Sequence, residues 1–87
     1  GGLQPETGQA LTNLKHILDS SGSGLNFVVK SLVFLEDMND FAKMNAVYSE
    51  FFPDNPPARS TVQVAALPKG ALVEIQCVGM IPPARGD

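Results

Sequence analysis

The run Val28-Val29-Lys30-Ser31-Leu32-Val33-Phe34-Leu35 constrains the fold most tightly. It is β-branched and mostly apolar, so it reads as a buried strand. On both sides of it the apolar period becomes that of a helix. Upstream, Ala10, Leu11, Leu14, Ile17 and Leu18 form one stripe, which predicts a helix from Pro5 or Glu6 to Ser20. Pro5 suits its first turn, Glu6 favours its positive end, and Ser21-Gly22-Ser23-Gly24 stops it. Downstream, Phe41, Met44, Val47, Tyr48 and Phe51 recur at three- and four-residue steps. That second helix is opened by Asp37 as a cap and ended by Pro53 and Asp54-Asn55-Pro56-Pro57. A buried strand flanked by two amphipathic helices belongs in a layered sheet with the helices on one face.

The remaining ordered stretch reads as a hairpin. Thr61 to Ala65 is one arm, Leu67-Pro68-Lys69-Gly70 the turn, and Leu72 to Gly79 the other arm. Alternation sets Val73, Ile75 and Cys77 on one face and Glu74 and Gln76 on the other. The predicted order is helix, strand, helix, strand, strand: an α+β chain with two helices packed on one face of a thin mixed sheet. Such a sheet leaves at least one edge exposed, and something else should cover it. The Pro-rich residues 82–87 cannot continue the ladder and are expected to form a flexible tail, in which Arg85-Gly86-Asp87 is a chance match to an adhesion tripeptide.

Eighty-seven residues make one domain, expected over residues 1–81. A chain of this length buries roughly 60–70% of its unfolded surface, so it is marginal on its own. The charged fraction, 17%, lies below the usual quarter, which reserves apolar surface for a partner. Net charge is −3 and the six basic residues are scattered, so no cationic stripe is available for nucleic acid. No run reaches the ~18 apolar residues of a membrane span. The single cysteine, Cys77, cannot form an internal disulfide, which suits a reducing compartment: cytoplasm, with mitochondria as the other candidate.

Among residues with chemical potential, Arg59 stands first. It sits in Pro57-Ala58-Arg59-Ser60, at the mouth of the first hairpin arm. A guanidinium is a planar fork that matches both oxygens of a carboxylate and stays charged at every biological pH. Read alone, though, an isolated arginine is more often solvated surface. Glu74 could orient or deprotonate water if partial burial raises its pKa, but alone it reads as the polar side of an edge strand. Phe41 could wall a pocket, with core packing the safer reading. Thr61 suits a strand by propensity. His16 has no triad partners, no metal-ligand spacing occurs, and residues 20–24 lack the Gly-Lys-Ser/Thr of a phosphate loop.

These segments, in this order, resemble the reactive-intermediate deaminase (Rid/YjgF, L-PSP endoribonuclease-like) family. The likeness runs from Gly1 to about Met80 through Gln9-Ala10-Leu11, Val28-Val29-Lys30, Asp40-Phe41 with Asn45 and Tyr48, and above all Pro57-Ala58-Arg59-Ser60 and Glu74-Ile75. It implies a chorismate-mutase-like or ferredoxin-like layered fold and a homotrimer with sites at subunit interfaces. It implies cofactor-free hydrolysis of 2-imino and enamino acids, such as 2-iminobutanoate and 2-iminopropanoate, to 2-keto acids and ammonia. On that pattern Arg59 anchors the substrate carboxylate, Glu74 activates water, and backbone groups at Thr61, with Asn45 and Phe41, complete the binding site. The family's opening β-hairpin, with its Gly-Pro-Tyr tyrosine, is expected to be lacking: this chain starts at the Gly-Gly turn where that region ends. Two rival readings follow, a non-catalytic module that binds small carboxylates and, more weakly, an endoribonuclease.

Overall fold

A computed structural model describes residues 2–82. Helix α1 spans Leu3–Ser20, strand β1 Val28–Leu35, helix α2 Phe41–Phe51, strand β2 Ala58–Gln63 and strand β3 Val73–Gly79. Short 3-10 turns occupy Leu25–Phe27, Met38–Asp40 and Pro68–Gly70. The element order and the mixed sheet are those the sequence predicts. Residues 83–87, most of the expected tail with its Arg-Gly-Asp tripeptide, lie outside the described residues.

The hairpin does not form. The sheet order is β2-β1-β3, with β1 parallel to β2 and antiparallel to β3, so β2 and β3 lie on opposite edges. The physical reason is that Val28–Leu35 carries the apolar run needed by a strand paired on both sides. Residues 64–72 therefore carry the chain from one edge to the other instead of folding back on β2. Val64 extends the β2 edge by donating to the Leu35 carbonyl at 2.9 Å.

The register sorts the side chains into rows. On the helix-covered face run Arg59–Ser31–Cys77, then Thr61–Val33–Ile75, then Gln63–Leu35–Val73. On the helix-free face run Ala58–Lys30–Val78, Ser60–Leu32–Gln76 and Val62–Phe34–Glu74. The core under the helices is Leu3, Leu11, Val28, Val33, Leu35, Met44, Tyr48, Phe52, Val73 and Ile75. A bulge between Val28 and Lys30 turns Val29 outward.

Local chemistry explains the helix ends. Helix α1 begins two residues before Pro5, because a proline within the first turn forfeits no intrahelical bond. Glu6 does more than meet the helix dipole: its Oε1 accepts from the Leu72 amide at 2.7 Å, tying the start of α1 to the entrance of β3. Thr7 is fully buried in α1 because its hydroxyl donates to the Leu3 carbonyl at 2.8 Å. Asp37 accepts from the Asn39 amide at 2.9 Å, but this caps the 3-10 turn Met38–Asp40 rather than α2 as expected; α2 starts directly from that turn behind Asp40, whose side chain makes no capping bond. Lys69 sits at φ 59, and Gly70 after it at φ 69 absorbs the second left-handed residue without a Cβ penalty.

The apolar stripe of α1 needs one correction. Leu11 is fully buried, whereas Ile17 is 62% exposed: in the last turn of α1 it is Leu18 that packs against the core, and its neighbour Ile17 turns to solvent. On α2 the buried positions are Met44 and Tyr48, with Phe52 just beyond the helix end more enclosed than Phe51. Among the described residues no helix is long and apolar enough to cross a membrane.

Leu11→Ala should therefore lower the unfolding free energy by about 2–5 kcal/mol. Ile17→Ala should change it by no more than about 0.5 kcal/mol. Urea unfolding of the pair checks the assignment, and equal losses would contradict it.

Candidate functional site

Polar side chains on the covered face concentrate in a single row. Arg59, Ser31 and Cys77 lie side by side across β2, β1 and β3, and α2 lays Asn45 and Tyr48 over the Arg59 end. The next two rows are mainly apolar. Among the described residues, this end of the sheet is thus where charge and hydroxyls meet under the helices.

Arg59 is half-buried and held on three sides. Its Nη1 donates to Asn45 Oδ1 at 2.6 Å. Its guanidinium carbon lies 4.7 Å from the Tyr48 ring centroid and 5.3 Å from that of Phe41. Both distances fall in the range where an aromatic face attracts a cation. Tyr48 is steadied in turn by Phe52, the ring centroids 4.7 Å apart and tilted at 34°. The spacing of Phe41, Asn45, Tyr48 and Phe52 puts all of them on one side of α2.

Among the described residues no carboxylate meets this cation. Among the described residues the ion pair is Lys15 with Asp19, at 2.9 Å on α1, and Arg59 has no acid within 4.0 Å. A cavity of about 270 Å³ opens beside it, lined by Asn45, Tyr48, Ser49, Phe52, Pro56, Pro57 and Arg59. A larger groove of about 360 Å³ runs past Lys15, Asp19 and Asp54. Its lysine is already neutralised by Asp19, so the smaller cavity holds the unspent charge.

Two buried oxygens in this region, Tyr48 OH and Thr61 Oγ1, have no hydrogen-bond partner among the described residues. Burial pushes the Tyr48 phenol above its ordinary value, and the nearby Ser31 hydroxyl and Arg59 charge offset this only in part. The phenol is therefore a neutral O–H donor across the physiological range. Burial likewise raises the Cys77 thiol, whose Sγ sits 3.5 Å from Ser31 Oγ, so Cys77 is a small apolar filler rather than a nucleophile.

The sequence-based site is brought together in part. Arg59, Asn45 and Phe41 converge; Thr61 shares their face of the sheet, one row along. Glu74 does not join them. It lies on the helix-free face opposite Phe34, two strand spacings or roughly 10 Å from β2, and accepts from Gln76 Nε2 at 3.2 Å. Within one chain Glu74 and Arg59 therefore lie on opposite faces of the sheet and on opposite edge strands. Sequence reading also missed Tyr48 as the ring under the guanidinium, because its position on the apolar stripe made it look like core. The available signal was a polar Asn45 three residues before a tyrosine on that same stripe.

The described residues contain no group of three or more His, Cys, Asp or Glu placed to hold a metal ion.

Tyr48→Phe keeps the ring under Arg59 and removes an unpaired buried hydroxyl. It should raise the unfolding free energy by about 1 kcal/mol. A loss of that size in urea unfolding would mean that the phenol has a partner.

The family model described as Endoribonuclease L-PSP matches residues 1–81. A RutC family protein of Pyrococcus horikoshii is 50% identical over 78 residues, which are 90% of this chain and 62% of that protein. The 2-iminobutanoate/2-iminopropanoate deaminase of Bos taurus is 47% identical over 83 residues, 95% of this chain and 61% of the relative. The structure of E. coli TdcF with bound serine superposes with a TM-score of 0.87 at 38% identity, covering 91% of this chain and 65% of that one. The chain thus spans about three fifths of the length of the curated relatives it matches. On fold, motifs and identity together, this chain belongs to the Rid/YjgF family, the family of the Endoribonuclease L-PSP model.

Proposed function

We propose that the protein hydrolyses small, reactive 2-imino and enamino acids to 2-keto acids and ammonia. The observation that carries this reading is the half-buried Arg59 guanidinium, fixed by a neutral amide and two aromatic faces and, among the described residues, without a counter-charge, beside a cavity of about 270 Å³. A site of that size suits a small organic acid. The fork takes the substrate carboxylate, and the imine carbon bonded to it is thereby oriented for attack. Relatives named as 2-iminobutanoate/2-iminopropanoate deaminases, and a related structure holding serine, support a small amino-acid-like ligand.

The chemistry balances without a cofactor. Water adds its oxygen to the imine carbon, the nitrogen takes up the protons, and the C–N bond breaks to leave a 2-keto acid and ammonia. Arg59 holds the carboxylate, and backbone groups around Thr61 assist. Glu74 manages the water, and because it lies on the helix-free face it does so from a neighbouring copy. That face carries Phe34 and Leu32 half-covered and Val62 and Val78 exposed, an apolar surface suited to assembly. A homotrimer, the arrangement the family resemblance implies, would cover it and bring Glu74 to an adjoining Arg59. Cytoplasmic residence belongs to the same reading.

One rival has an observation behind it. With no acid among the described residues of one chain facing Arg59, the same site would bind small carboxylates without turning them over. Ribonuclease action, which the family model's description names, lacks a cationic surface here: the net charge is −3 and the basic residues are dispersed.

The deciding assay generates 2-aminoacrylate enzymatically and follows imine loss against pyruvate formation. Wild type should accelerate pyruvate release over buffer. Arg59→Ala should lower the rate by about 100-fold, the worth of a charge-assisted fork, and Arg59→Lys by about 10-fold. Wild type matching buffer would leave the binding-only rival standing. Phe34→Asp should shift sedimentation towards a single chain and reduce turnover with it; an unchanged assembly would remove the neighbouring-copy role of Glu74.

A further inference from the structure

We infer that Asn45 is a positioning residue that keeps Arg59 chemically unspent, by presenting a neutral acceptor where an acid would close the site. This rests on the carboxylate reading above and adds to it the device that holds the cation available.

Three observations converge on it. The Arg59–Asn45 contact is the one hydrogen bond found on the guanidinium among the described residues, and it is short, 2.6 Å. It engages Nη1 alone, so Nε and Nη2, a complete two-pronged edge, stay free for an incoming carboxylate. The rings of Tyr48 and Phe41, 4.7 and 5.3 Å from the guanidinium carbon, attract the charge through their faces and so leave its N–H groups for hydrogen bonds.

The arrangement is costly for folding and useful for binding. A half-buried cation with one neutral acceptor is less well compensated than one paired with a carboxylate. The chain has nine acidic residues, yet none lies within 4.0 Å of Arg59 among those described. Aspartate is nearly isosteric with asparagine and would supply the missing charge from the same place on α2. It would also neutralise the fork and repel a ligand carboxylate. Keeping an amide at position 45 therefore trades stability for an anion site.

The test measures pyruvate binding by titration calorimetry, and urea unfolding, on the full chain. The variants are Asn45→Asp, Asn45→Ala and Arg59→Ala. Asn45→Asp should bind pyruvate about 100-fold more weakly than wild type while its urea midpoint equals or exceeds the wild-type value. Asn45→Ala should lose only about 3- to 10-fold in affinity, because the fork loses a brace but keeps its charge, and should be the less stable of the two. A merely structural role would rank binding in the order of stability; this proposal requires the opposite order for Asp and Ala. Asn45→Asp binding as well as Asn45→Ala overturns the inference, and so does an Asn45→Asp chain that unfolds, since the new ion pair must stabilise it. If wild type fails to bind pyruvate, or Arg59→Ala binds it equally well, the carboxylate reading itself is wrong and the inference falls with it.

Discussion

Strand β1 is the one strand paired on both edges, and the rest of the molecule takes its register from it. Its inward residues Val33 and Leu35 are fully buried under the helices, and the pairs they make with Thr61, Ile75, Gln63 and Val73 decide which side chains of the edge strands turn inward. A side-chain period of two means that slipping either edge by one residue would exchange the covered and helix-free faces. Arg59 would then point away from α2, and the site would not exist. The core and the candidate site are thus consequences of the same pairing.

Ser31 shows how closely the two are joined. It is fully buried on β1, flanked in register by Arg59 and Cys77, where its neighbours along the strand face are Val33 and Leu35. A small polar residue here leaves room above the sheet for Tyr48 and for the guanidinium beside it, and its hydroxyl lies against the Cys77 sulfur at 3.5 Å. Most of the polarity of the covered face is concentrated in this row, and the following rows, apart from Thr61 and Gln63 on β2, are apolar core. The buried oxygens of Tyr48 and Thr61, without a partner among the described residues, fall in the same part of the molecule.

The helix-free face makes the opposite compromise. Phe34 and Leu32 are only half-covered there, with Val62 and Val78 exposed beside Lys30, Glu74 and Gln76. In a chain of 87 residues, burying that surface against another copy would add apolar area that the two helices cannot supply. It would also change the surroundings of Glu74, the one acid of β3, in a way no single chain can.

What the linear order of residues determined by itself is local and periodic. The helical stripes apart from Ile17, the apolar β1 and the alternation of Val73, Ile75 and Cys77 against Glu74 and Gln76 all follow from spacing within one segment, and are present. The chemistry of Arg59 was legible too, because a guanidinium is a fork wherever it stands. Tertiary structure alone decided which strands are neighbours. A connection of nine residues can close a loop or cross a sheet, and the choice was made by the burial available to β1 on both edges rather than by the turn residues 67–70. That choice set Arg59 beneath Tyr48 and against Asn45, and put Glu74 on the far face, since contacts between distant segments depend on pairing energies that no single segment contains.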